Sequence, residues 1–187
     1  MLSVANWTAD HHHYRAELYE HAGSAVSPTP VLASLPELPN YWWGELLDSL
    51  NALSAVRTER IAVREDYIRR AVPQFTGHSV NAIEWRTAHG DVHWSNVTGP
   101  SLKLLDWEGW GAAPLGYDAT CLYLHSLHVP DVAHRVWKEL ADVLDSPASR
   151  VGQLVACAEI LQAAPRVDFY GELADAVRRH LATLGGL

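Results

Sequence analysis

The sequence predicts an α+β protein that is mainly α. Three observations carry that expectation. Apolar residues recur at helical spacing through most of the chain, as in Trp43, Leu46, Leu47, Leu50 and Leu53. One pair of short β segments, 96–98 and 102–105, flanks the turn Gly99-Pro100-Ser101. The composition is globular, with 48% hydrophobic and 19% charged residues over 187 positions, enough for one domain with a real core.

Taken in order, residues 2–5 are expected as a short strand. Residues 9–22 read as a helix, with Asp10 as N-cap and Gly23 as its stop. His11, His12 and His13 would point in three directions on it, so only His13 and Glu17, at i and i+4, could share a ligand. A solvated helix face is the commoner meaning of such a run. Pro28 and Pro30 lead into a strand over 28–33, and 35–39 is a proline-bounded linker. Asn40 is placed to cap a helix over 41–56, with Trp42 and Trp43 in its core face. A second amphipathic helix covers 61–72 and stops at Pro73. Residues 79–85 connect onward, as a continuing helix or a loop. Beyond Asp118 everything reads as helix: 119–127, 130–144, 147–164 and 168–184, the last closed by Gly185-Gly186. Asp168, Glu172 and Asp175 fall on a charged outer face of that final helix.

Charge and cysteines narrow the function classes. With 14 Lys plus Arg against 22 Asp plus Glu the formal net charge is −8, which argues against nucleic-acid binding and suits a small cationic partner. Cys121 and Cys157 have neither disulfide-framework nor metal spacing and are expected to be buried and reduced, in a cytoplasmic protein. No signal-like start and no membrane-length apolar run is visible.

The chemistry is concentrated between Ala88 and Asp118. His89-Gly90-Asp91 is followed by Asn96, and the hairpin then returns through Leu102–Leu105 to Asp106. The turn brings Asp106 back beside Asn96. A carboxylate held near an amide and a second carboxylate is what phosphoryl transfer needs. One group accepts the proton of an acceptor hydroxyl, while the other two offer hard oxygen ligands to Mg²⁺.

HGDVHWSN (89–96) and LLDWEGWG (104–111) resemble the catalytic loop and metal-binding motif of the aminoglycoside phosphotransferase and choline kinase family, small-molecule kinases with a protein-kinase-like fold. The resemblance implies a kinase-like C-terminal lobe with small hairpins around the catalytic loop. It implies Asp91 as the catalytic Asp and Asn96 and Asp106 as magnesium ligands. His89 and Asp118, the latter in Pro-Leu-Gly-Tyr-Asp, would support the loop. Trp94, Glu108 and Trp110 become candidates for the acceptor site, Trp107 is expected to pack under the hairpin, and His93 to point away from the metal. ATP and Mg²⁺ are the implied cofactors and a small-molecule hydroxyl acceptor the implied partner. Residues 1–39 would be the remnant of a small N-terminal lobe, and 40–187 the large lobe. In that remnant Glu17 matches the family's helix glutamate.

The departures from the family lie before His89. No glycine-rich phosphate loop and no lysine precede it; the first lysine is Lys103. Two further expectations follow. The chain is a truncated or degenerate relative that binds without turnover, or it is half of a larger assembly. In the latter case, self-association through the face a small lobe would cover is expected.

Overall fold

A computed structural model describes residues 2–184. The architecture is α+β and mostly helical, with two separate two-stranded antiparallel sheets. The strands are β1 (Ser3–Ala9), β2 (His12–Leu18), β3 (Trp85–Ala88) and β4 (Gly111–Pro114). The helices are α1 (Asn40–Ser54), α2 (Glu65–Thr76), α3 (Tyr117–Leu124), α4 (Pro130–Glu139), α5 (Ala141–Leu144), α6 (Arg150–Ala163) and α7 (Asp168–Leu184). Gly185 and Gly186, expected to close the last helix, lie outside the described residues.

α6 organises the helical body. Its residues from Val151 to Ala158 are all buried, the pattern of a helix enclosed on every side, and it packs on α2, α3 and α7. Ile68, Leu124, Leu154 and Leu173 form the centre of that core. A second core gathers Trp42, Trp94, Leu122 and Leu140 between α1, α3 and α4. Residues 88–97 run between the two, with Ala88 in the first core and Val92, Trp94 and Val97 in the second.

The helix expected over 9–22 is not formed. Its residues make β2 and an irregular segment, and β1 pairs with β2 through seven residue pairs. The register explains why. Ala5/Ala16, Trp7/Tyr14 and Leu18 fall on one face at period two, and Glu17, Arg15, Asn6 and His13 on the other. Asp10 and His11 both take positive φ, 50° and 66°, the conformation of a two-residue hairpin turn that matches strand twist. Every residue of both strands is exposed, including the stacked Trp7 and Tyr14 rings, so the apolar face meets solvent. Glu17 is thus a strand residue paired with Arg15 and Tyr19, and His13 meets Thr8 across the hairpin.

Residues 28–33 do not form a strand either. Two prolines without N–H groups cannot sustain a ladder. The segment and the residues just before it cross the 91–97 loop instead: Val26 N donates to Val97 O, Ser27 N to Trp94 O, Trp94 N to Pro30 O and Leu32 N to His125 O.

α1 begins at Asn40 itself, with Pro39 at the cap position and no side-chain cap bond. α2 starts four residues later than the periodicity of 61–72 predicts, because 60–63 are drawn off: Ala112 N donates to Arg60 O, and Ala62 and Val63 N to Ala112 O. It also passes Pro73 and ends at Gly77, whose φ of 75° provides a left-handed cap. The expected helix over 130–144 is divided at the buried Leu140 into α4 and α5. Residues 79–84 are irregular and lead into β3, which pairs with β4.

Candidate functional site

The hairpin expected after Asn96 forms. Thr98 N donates to Lys103 O, Leu105 N to Asn96 O, and Val97 bridges Leu104. Asp106 therefore leaves the hairpin directly beside Asn96. It is exposed and sits at φ 60°, ψ 69°, a left-handed conformation that Asp tolerates better than most side chains.

Asp118 stands in the first turn of α3. Its two carboxylate oxygens accept from His89 N at 2.7 Å and Gly90 N at 3.0 Å. One buried side chain so terminates the backbone of the loop just before Asp91. Burial pushes the Asp118 carboxyl up to about 6, against the two N–H donors, which favour its charged form.

Gly90 is the residue that lets the loop turn. Its φ is 86°, and a Cβ there would lie 2.5 Å from the Gly109 carbonyl oxygen. Gly90→Ala is expected to lower stability by about 2 kcal/mol, from positive φ and the clash together. A thermal or urea midpoint unchanged from the parent would refute that geometry.

Asp91 is half exposed. Asn96 Nδ2 donates to its Oδ2 and to its backbone O, both at 3.0 Å, which leaves the Asn96 amide oxygen as an available ligand. His93 turns towards Asp91: Nε2 is 3.3 Å from Oδ1, while Nδ1 is 3.1 Å from Ser95 Oγ. The reason is local, since the turn 93–96 folds back through Asn96 N to His93 O. Burial alone would raise the Asp91 carboxyl. The His93 contact and the neighbouring His89 and His125 rings outweigh it and hold Asp91 below the ordinary carboxylate value. His89 is fully buried against the edge of Trp107, with ring centroids 4.6 Å apart, and burial lowers its pKa, so the ring is a neutral wedge.

Of the tryptophans expected at the acceptor, Trp94 is a correction. It has no exposed surface, stacks on Trp42 at 6.0 Å, and its indole N–H donates to Ser126 Oγ. It fills the second core because the preceding residue turns to Asp91, leaving position 94 pointing inward. Trp107 lies over His89 and donates to Leu104 O, yet keeps 44% of its surface exposed. Trp110 lies under Arg60, 4.9 Å from its guanidinium. Arg60 also donates to the carbonyls of Trp110 and Glu108, tying down the turn after Asp106. Glu108 itself faces solvent on that turn.

Sequence reasoning missed Glu159. A cavity of about 200 Å³ beside Asp91 is lined by Glu159, Tyr117, Tyr170, His125 and Cys121. Tyr117 Oη donates to Glu159 Oε2 at 2.5 Å. Burial pushes Glu159 up to about 7, opposed by the Tyr117 bond and reinforced by the charge of Asp91. The same burial lowers His125 to about 4; its Nδ1 donates to Cys121 O. The one available signal was a lone Glu inside the apolar run of α6. The outer-face acids Asp168, Glu172 and Asp175 are exposed, Asp175 pairing with Arg178. Both cysteines are free and buried.

Among the described residues no group of three or more His, Cys, Asp or Glu is placed to hold a metal, and no helix is long and apolar enough to cross a membrane. Asn96 and Asp106 lie at one end of the hairpin, and each carries a side-chain oxygen that could serve as a hard donor. Comparison with family models, with curated proteins and with solved structures gave no match.

Proposed function

We propose that this chain is a small-molecule phosphotransferase of the aminoglycoside phosphotransferase and choline kinase type, with a protein-kinase-like large lobe. It would move the γ-phosphoryl group of ATP to a hydroxyl of a small molecule that carries a positive charge. The observation that supports this best is the position of Asp91. It stands between the cavity lined by Glu159 and the hairpin end carrying Asn96 and Asp106.

In this reading the cavity seats the acceptor, and Glu159 pairs with its cation while Tyr117 and Tyr170 flank it. Asp91, kept ionised, accepts the proton of the acceptor hydroxyl as the new O–P bond forms and the bond to the β-phosphate oxygen breaks, leaving ADP. Asn96 holds the Asp91 carboxylate in place through its amide N–H, and Asp118 fixes the loop backbone. Asn96 Oδ1 and Asp106 would hold magnesium, which when bound offsets charge on the phosphate oxygens.

The test is calorimetry of Mg·ATP binding to the purified chain, with Asp106→Ala as control. Magnesium-dependent binding that the variant loses supports the reading. Absence of binding at millimolar nucleotide favours a second reading, a binding module without turnover. The free-standing hairpin supports that alternative, because Glu17 there is engaged by Arg15 and Tyr19 rather than at a phosphate site.

A further inference from the structure

A second cavity, about 270 Å³, lies behind the catalytic loop between α1, β3 and α5. Leu47, Leu50, Leu140 and Val143 give it apolar walls, and Asp118 lies in its lining. Asp118 is 92% buried, and it does not line the cavity beside Asp91. Each of its oxygens takes one backbone N–H. An ionised carboxylate has about four acceptor positions, so a further one on each oxygen is unused.

Carboxylates outnumber basic groups around the cavity. Asp142, exposed at the mouth, adds a second carboxylate. Arg86, the basic residue in the lining, is tied to Glu84 at 2.6 Å. Apolar walls, an acidic floor and an acidic mouth complement an organic cation with a compact hydrophobic body. At about 270 Å³ the volume admits a body of at least one ring, since a cavity of about 150 Å³ already accommodates benzene.

We propose that this cavity is a binding site for a small primary amine carrying a single apolar ring, its ammonium donating to the unused side of Asp118. Because Asp118 holds the amides of His89 and Gly90, an occupant biases the catalytic loop from behind, without entering the site at Asp91. Binding does not depend on the phosphotransferase reading, and the two can fail separately.

The experiment titrates benzylammonium into the ¹⁵N-labelled chain at neutral pH, with benzyl alcohol as the neutral analogue. The expected result is saturable binding with amide shifts centred on His89, Gly90, Leu50 and Val143. Benzyl alcohol should bind about tenfold or more weakly, as loss of a charge-assisted hydrogen bond implies. Asn51→Trp, which places an indole from an exposed position into the cavity, should abolish binding, and Asp142→Asn should weaken it a few-fold. Thermal midpoints establish that each variant is folded; if Asn51→Trp is not, Asp142→Asn decides. No saturation at millimolar amine overturns the proposal. So does equal affinity for the alcohol, unchanged binding by the folded variants, or shifts centred on Glu159 and Tyr170, which would place amines in the other cavity instead.

Discussion

Trp94→Ala is expected to cost roughly 3–5 kcal/mol of folding stability, the range for deleting a fully enclosed aromatic side chain. The ring is closed off by Trp42 on one face and by the edge of Trp43 at 6.3 Å, and its N–H is satisfied by Ser126. Alanine leaves a void that α1 cannot fill without moving Trp42, whose own N–H is committed to Thr98 O at 2.7 Å. Trp94→Phe keeps most of the volume and should cost about 1–2 kcal/mol for the lost bond and fit. Urea unfolding at neutral pH measures both. A ring lining an acceptor pocket would behave otherwise, with stability within about 0.5 kcal/mol of the parent and altered ligand affinity.

Glu159→Gln is expected to leave stability unchanged near pH 4.5 and to raise it by about 2 kcal/mol at about pH 8. The sign follows from the displacement of Glu159 from 4.5 to about 7. Between those values the folded chain keeps a proton that the unfolded chain has released, so stability falls as pH rises through the window. Full ionisation of the buried group corresponds to about 3 kcal/mol, reduced here because the carboxylate faces a cavity. Glutamine retains an acceptor for the Tyr117 hydroxyl and has no charge to desolvate. Asp118, raised to about 6, acts in the same direction. His125 and His180, both lowered to about 4 by burial, act oppositely: their contribution is lost as pH falls from about 6.5 towards 4. Comparing variant with parent at each pH cancels these other groups. A stability difference constant across pH would mean that Glu159 titrates normally.

Much of the helical body was legible because its cause is local. α1, α4 and α7 fall close to the expected positions, each burying one stripe at helical period, and α3 and α6 follow from long apolar runs bounded by turn residues. The hairpin after Asn96 was legible for the same reason, being a turn between two short segments. The N-terminal segment was misread because a helical cap signal at Asp10 competed with a period-two pattern, and Asp10-His11 as a tight turn won. The delayed start of α2 had no local sign, because a backbone some 50 residues away, at Ala112, takes its first residues.

A mainly helical α+β chain and the order Asp91, Asn96, Asp106 and Asp118 can be read from the residues alone. Those depend on spacing along the chain and on short turns. What surrounds them comes from contacts between distant segments. Asp118 reaches the loop across 28 residues, Arg60 reaches the turn at Trp110 across 50, and Glu159 closes the cavity from α6. Trp94 and His93 are neighbours in sequence, yet one is core and the other meets Asp91. Contacts between distant segments depend on how helices pack. Packing is set by the volume and burial of many side chains together, which no single stretch of sequence contains.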